Sequence, residues 1–297
     1  MPEGGLNWMP KEQLLSYEEI GRLAGIFSAM GITKVRITGG EPTIRSDIGV
    51  LIKSIASVPG ITDLAMTTNG HTLAKLAPML ADSGLNRVNV SLDSIRPETF
   101  QMLTRGGQLD RVLHGLDAAR AAGLTPIKIN AVVVGGVNDD QILELVQFFE
   151  PQADNTELRF IEYMPFEDRR YTTVPSFRIR QIIEEKYSTE PITTGPTNGP
   201  ARMWKIQSSG LRVGFISPLS NCFCETCNRL RLMADGHLRT CLAYEDTPSL
   251  LNLLRGGASD SQIAQAIRSM VLGKPEGHQC DVDGGEAFQG VMTGIGG

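Results

Sequence analysis

Cys224, Cys227 and Cys241 are the residues of this chain whose type and spacing most clearly suit chemistry. Two residues separate the first pair and thirteen more lead to the third, within the stretch NCFCETCNRLRLMADGHLRTCL from Asn221 to Leu242. Asp235-Gly236 reads as a two-residue hairpin turn of type I′, whose central positions both need positive φ. Such a turn folds Cys241 back towards Cys224 and Cys227. The strand before it runs Arg229, Leu230, Arg231, Leu232, and a period of two puts both arginines on one face. Three thiols and two guanidiniums then converge. Three thiolates close in space suit a soft metal, either zinc or an iron–sulfur cluster. A structural zinc needs a fourth ligand, for which Cys222 and His237 are the candidates. A cluster on three thiolates leaves one iron open, and paired arginines beside it suit an anionic ligand.

The chain that must position these groups has 297 residues, enough for one large domain or two small ones, and 41% of them are hydrophobic. Its net charge is −5, which gives no general affinity for nucleic acid or a membrane surface. Any anion site is therefore a local gathering of arginine and lysine. The five cysteines are an odd number and four of them cluster. That pattern points to metal in a reducing compartment rather than to a disulfide framework. There is no charged-then-apolar leader and no long apolar run, so the expectation is a soluble cytoplasmic protein.

Periodicity sets out the elements. Ser16 with Glu19 fits a capping box, followed by Ile20, Leu23, Ala24 and Phe27 at helical spacing. Strands are expected at 33–38, 63–67, 87–92, 127–134 and 157–163, with helices at 48–56, 109–122, 139–149 and up to Asp82. This β/α alternation implies a parallel sheet in a barrel or partial barrel. After Pro165 the rhythm changes to a helix at 177–187, strands at 203–207, 212–216 and 229–233, and helices at 248–254 and 260–271. Residues 1–165 thus read as a partial barrel and 166–297 as an extension.

On the strands, polar and apolar residues alternate. Lys34, Arg36 and Thr38 share one face, as do Asn89, Ser91 and Asp93, or Lys128 and Asn130, while Arg159 opposes Leu158 and Phe160. Helices cover the outside of a parallel sheet, so the polar face lines the interior. Buried charges need partners, and few carboxylates alternate with these bases. An anion such as a polyphosphate would serve. Sites in such folds lie at the carboxyl ends of the strands, where Gly39-Gly40 and Thr67 fall.

Together these pieces resemble a known family. Thr38-Gly39-Gly40-Glu41-Pro42 is similar to the GGEP motif of radical S-adenosylmethionine enzymes. Added to it are Lys34-Val35-Arg36-Ile37-Thr38, Thr67-Thr68-Asn69-Gly70, Asn89-Val90-Ser91-Leu92-Asp93, Arg159-Phe160-Ile161-Glu162-Tyr163-Met164, the Cys224 hairpin and a terminal Gly-Gly. The chain resembles the GTP 3′,8-cyclase family of molybdenum-cofactor biosynthesis over nearly its whole length. The resemblance implies reductive cleavage of S-adenosylmethionine, hydrogen abstraction from the GTP ribose and attack of the sugar carbon on C8 of guanine. A cyclic pyranopterin monophosphate synthase would take the product. It further implies that Cys224, Cys227 and Cys241 hold a 4Fe-4S cluster whose open iron meets the guanine. Lys34, Arg36, Thr67, Lys128, Arg159, Arg229, Leu230 and Arg231 would hold GTP. Gly40, Ser91 and Met164 would contact S-adenosylmethionine, with Glu41 as a partner for its amino group, and Gly296-Gly297 would reach into the site. A homodimer is possible.

One departure stands out. The family's first cluster sits on a CxxxCxxC loop, and no cysteine here precedes Cys222. The expectation is that the ligands of that other 4Fe-4S cluster are missing, that this polypeptide alone is inactive, and that the strand at 33–38 is left as an unpaired edge. Cys222 is a spectator thiol or closes the open iron, and Cys280 has no readable role beyond a small buried residue. The alternatives are a non-catalytic module or partner subunit binding GTP and a cluster, or a peptide-modifying radical S-adenosylmethionine enzyme.

Overall fold

A computed structural model describes residues 9–165, 171–193, 199–243 and 248–277. Cys280, Gly296 and Gly297 lie outside the described residues. Strands β1 (Lys34–Ile37), β2 (Asp63–Thr68), β3 (Arg87–Ser91), β4 (Ile127–Gly135) and β5 (Thr156–Glu162) alternate with helices. The helices are α1 (Tyr17–Ala29), α2 (Ile48–Ala56), α3 (Leu73–Asp82), α4 (Pro97–Thr104), α5 (Leu109–Ala121) and α6 (Ile142–Phe149). After them come β6 (Thr172–Thr173), α7 (Ser176–Glu184), β7 (Thr189–Ile192), β8 (Arg202–Ile206), β9 (Arg212–Ile216), β10 (Arg231–Leu232), β11 (Leu238–Arg239), α8 (Leu250–Arg255) and α9 (Asp260–Leu272).

The main sheet runs β1-β2-β3-β4-β5-β9-β8-β7, with β6 added to β4. Pairing is parallel from β1 to β5 and between β5 and β9. It turns antiparallel for β8 and β7. Hence the fold is a partial β/α barrel whose strand path stays open among the described residues. β1 forms one edge and pairs only with β2 there. Because β9, β8 and β7 continue the same sheet, the extension shares the barrel's wall.

Local chemistry explains the elements. Ser16 accepts from the Glu19 N–H and Glu19 accepts from the Ser16 N–H, a capping box that starts α1. Ile48, Leu51, Ile52 and Ile55 give α2 one buried face. The helix α3 runs through Pro78. Three elements were not expected from the pattern, among them the two-residue strand β6. α4 is eight residues long with Pro97 at its first turn, and β7 carries Pro191, which an edge strand tolerates.

Two cores follow. Leu64, Met66, Val88, Val90, Ile129, Leu158 and Phe160 face the helices and are essentially fully buried. Burial stabilises each such side chain by about 1.5–3 kcal/mol. The alternate residues of the same strands point the other way, into the lumen. A second core joins Leu15, Leu23 and Ile26 to Leu238, Leu250, Leu254, Ile263 and Ile267. It anchors the cysteine hairpin and the last two helices on α1. Arg255 reinforces it by donating to Glu19 at 2.8 Å, and Arg22 does so by donating to Asp260 at 2.8 Å. No helix among the described residues is long and apolar enough to cross a membrane.

Candidate functional site: a cationic lumen beside a cysteine hairpin

Register aligns the lumen side chains in rows. Thr67, Asn89, Lys128, Glu157 and Arg212 are successive partners across β2, β3, β4, β5 and β9. Ser91, Asn130, Arg159 and Gly214 form the next row towards the carboxyl ends. Lys34 faces Asp63, and Arg36 and Arg87 flank Ala65. Gly214 leaves room for this arrangement: a Cβ there would stand 2.6 Å from Met203 Sδ and 3.3 Å from Arg159 Cγ.

Charge is concentrated in these rows. Glu157 Oε2 accepts from Arg159 Nη2 at 2.8 Å and lies 3.4 Å from Lys128 Nζ, while Arg212 stands 3.9 Å from Oε1. Asp63 Oδ2 accepts from Arg87 at 2.8 Å and lies 3.5 Å from Lys34 Nζ. Two acids therefore answer five bases, so carboxylates are few, as expected, although Lys34, Lys128 and Arg159 each find one. Arg36, Arg229 and Arg231 have no carboxylate within ion-pair reach among the described residues, so positive charge still dominates.

The pKa directions register that excess. Arg36 remains open to water along the lumen, yet surrounding protein pulls it down to about 10, helped by the charges of Arg229, Arg87, Arg159 and Arg231. Burial, then Arg159, pulls Lys128 down to about 8 against the opposing pull of Glu157. Burial also lowers Arg159, Arg229 and Arg231. Glu157 is depressed, because Lys128, Arg159 and Arg212 together outweigh its own burial. Arg159 Nε is buried without a hydrogen-bond partner among the described residues, as is Asn130 Oδ1. An unmade buried hydrogen bond costs about 1–3 kcal/mol.

The hairpin differs in detail from its expected form. Met233 N–H donates to His237 O at 2.8 Å and Gly236 N–H to Met233 O at 3.0 Å. Only Gly236, at φ 85°, has positive φ. The loop is thus a three-residue turn with glycine in the left-handed position, not type I′. Strand β10 begins at Arg231, so Arg229 lies ahead of it. The Arg229 guanidinium stands 5.0 Å from the centre of the Phe223 ring. Leu230 packs on the second core, so its side chain points away from the lumen bases and only its backbone can serve a ligand.

Cys224 opens a single 3₁₀ turn and Cys227 follows it. Both, with Cys241, are half-buried and unbridged, while Cys222 is exposed. Lys274, on the segment after α9, donates to Cys227 O at 2.7 Å and Arg229 O at 3.2 Å, and lies 3.6 Å from Cys227 Sγ. Burial would raise the Cys227 thiol, but the Arg229 N–H and the charges of Lys274 and Arg229 hold it below its usual range. Among the described residues no three His, Cys, Asp or Glu stand close enough to hold one metal ion. His237 turns to Asp235, with Nδ1 3.0 Å from Oδ1. A single zinc would draw all its thiolates together, whereas a cluster takes each on a different iron. The donor type and cationic surroundings suit a cluster, but ligand spacing is not assembled here.

The glycine-rich loop after β1 is held by Glu41. Its Oε1 accepts from Thr43 N–H at 3.1 Å, Thr43 Oγ1 at 2.6 Å and Thr68 Oγ1 at 2.8 Å; its Oε2 accepts from Asn69 N–H at 2.7 Å. Most of its capacity thus ties this loop to the end of β2, leaving room on Oε2 alone for a ligand amine. Gly40 and Ser91 are exposed at the carboxyl ends of β1 and β3. Met164 is half-buried against Leu219. The basic rows lie nearer the amino ends than these residues do, so the site spans the lumen rather than sitting wholly at the carboxyl ends. Sequence reasoning missed Asp63, Arg87, Glu157, Arg212 and Lys274. The period of two on β2, β3 and β5 could have found the first three.

Residues 3–149 match the Radical SAM superfamily and residues 156–280 match Molybdenum Cofactor Synthesis C. The chain is 40% identical to a GTP 3′,8-cyclase of Syntrophomonas wolfei, over 100% of this chain and 92% of that protein. It is 41% identical to one from Marinobacter nauticus, over 98% and 89%. Among solved structures, Streptococcus suis SuiB bound to S-adenosylmethionine aligns at 18% identity and TM-score 0.59, covering 86% of this chain and 61% of SuiB. SuiB bound to its precursor peptide SuiA aligns at 17% and 0.61, covering 89% and 61%. These likenesses to SuiB speak to fold alone. Matched in both halves and along nearly the whole length of its curated relatives, the chain belongs to the GTP 3′,8-cyclase family of radical S-adenosylmethionine enzymes.

Proposed function

We propose that the lumen binds GTP and that the chain serves the radical cyclisation of GTP in molybdenum-cofactor biosynthesis. The observation that carries this reading is the group Arg36, Arg229 and Arg231, which face one electrostatic neighbourhood without a carboxylate among the described residues. Guanidiniums so placed match phosphate oxygens in charge and geometry. Lys34, Lys128 and Arg159, held in place by Asp63 and Glu157, would supply the rest of the anion site. Thr67 adds a hydroxyl on the same face.

S-adenosylmethionine, reduced through an iron–sulfur centre, supplies one-electron chemistry at the ribose when it is bound. Gly40 and Ser91, exposed at strand ends, would contact it, with Met164 beside them. Glu41 would offer Oε2 to its amino group while Oε1 holds the loop. Cys224, Cys227 and Cys241 would bind the C-terminal 4Fe-4S cluster, near enough to the basic lumen for Cys227 and Cys241 to act on Arg231. Gly296 and Gly297 would approach the same space. Residues 1–165 and 166–297 form the proposed division, and a cyclic pyranopterin monophosphate synthase would receive the product.

Iron analysis and GTP binding on anaerobically purified protein test this. About four irons per chain are expected at the C-terminal site, lost in Cys224→Ser. Arg229→Ala or Arg231→Ala weakens GTP about tenfold, or about 1.4 kcal/mol. One zinc per chain overturns the cluster; unchanged GTP affinity overturns the lumen site.

A further inference from the structure

A chain of polar contacts runs under the lumen floor from β1 to β2. Lys34 Nζ lies 3.5 Å from Asp63 Oδ2, and Arg87 Nη2 donates to the same oxygen at 2.8 Å. Arg87 Nη1 donates to Asn89 Oδ1 at 3.3 Å, and Asn89 Nδ2 donates to Thr67 Oγ1 at 3.2 Å. Asn89 is 2% exposed and Arg87 only partly so, at 15% of its side chain.

The direction of each bond is fixed. A guanidinium can only donate, so the oxygen of the Asn89 amide must face Arg87. The amide nitrogen then faces Thr67, which must accept. The Thr67 hydrogen is left pointing elsewhere, and among the described residues it finds no acceptor. Thr67, Asn89 and Lys128 are successive register partners, so the hydroxyl is carried on the lumen face with the bases.

The geometry points to Arg87 and Asn89 as positioning residues that turn the Thr67 hydrogen away from Asn89, so that the lumen favours an acceptor atom of the bound nucleotide at this point. Without the relay a threonine hydroxyl donates or accepts equally well. With it, the hydroxyl keeps its hydrogen for the lumen and one lone pair is already spent on Asn89, so an oxygen or ring nitrogen bearing a lone pair is favoured there over an amino group. This rests on the reading of the lumen as a GTP site.

A double-mutant cycle on anaerobic GTP binding tests it. Asn89→Leu keeps the local charge and removes the donor to Thr67, and Thr67→Val removes the hydroxyl. Each single variant is expected to weaken GTP about fivefold, the size of one net hydrogen bond. The double variant should be no weaker than Thr67→Val, and Thr67→Ser should bind like the reference chain. A purely structural role for Asn89 would cost the same factor in both backgrounds, and that result overturns the relay while leaving the GTP reading intact. A reference chain that does not bind GTP overturns the reading and the relay together. Should Asn89→Leu fail to fold, Asn89→Ser, too short to reach Thr67, is read against the same outcomes.

Discussion

Arg159 and Glu157 lie two residues apart on one face of β5 and meet at 2.8 Å, each side chain less than a tenth exposed. Lys128 joins the same carboxylate from β4. A carboxylate so placed keeps the bases buried and orderly until an anion arrives. Removing one partner of a buried ion pair typically costs about 3–5 kcal/mol. Glu157→Gln should therefore destabilise the protein by an amount of that order. GTP should restore part of the loss, because its phosphates replace the missing charge. Thermal unfolding with and without GTP checks both parts, and an equal loss in the two conditions would count against the lumen as the GTP site.

Lys128 gives the site a pH dependence. Its folded-state value is about 8 against 10.5 when unperturbed. The unfolded chain thus binds more protons between those values, so stability rises with pH across that window. The cost of burying the ammonium is fully present below about pH 8 and is relieved as pH climbs towards 10.5. Ligand binding runs the opposite way, since phosphates need the charged form. GTP affinity should fall as pH rises above 8, and the fall should shrink in Lys128→Met. Titration calorimetry at several pH values is the measurement.

Gly214→Ala probes the space around Arg159. The added Cβ would meet Met203 Sδ at 2.6 Å and Arg159 Cγ at 3.3 Å. Overpacking of this kind costs about 1–3 kcal/mol. The variant should melt lower and bind GTP more weakly, because the guanidinium is displaced. Unchanged affinity would mean that Arg159 lies outside the nucleotide's reach.

Lys274→Met tests the support of the cysteine hairpin. Its ammonium bonds the carbonyls of Cys227 and Arg229. Loss of such support typically lowers metal affinity about 10–100-fold. Iron retained after anaerobic dialysis against a chelator should fall by a comparable factor, with the fold intact by circular dichroism.

Much of this fold was legible in the residues. The capping box of Ser16 and Glu19 placed α1, Pro59-Gly60 marked the stop after α2, and alternation gave the inward faces of β1, β3, β4 and β5. The lumen bases Lys34, Arg36, Lys128 and Arg159 were legible for the same reason, while Arg87 and Arg212 were not. The period of two also puts Asp63 and Glu157 on that face, but that they answer Lys34 and Lys128 on neighbouring strands follows only from the register. Lys274 meets Cys227 across a separation of 47 residues that no local pattern encodes. The type I′ reading failed because Asp235-Gly236 is also compatible with a three-residue loop in which glycine alone takes positive φ. β7 was hidden by Pro191, and α4 has only Phe100 buried to mark a face.

The central claim is that the lumen grips a triphosphate through charge. Anaerobic binding of GTP, GDP and guanosine at two salt concentrations tests it most directly. Affinity should drop at each loss of phosphate and weaken as salt screens the bases. Guanosine binding as tightly as GTP, with no dependence on salt, would contradict it.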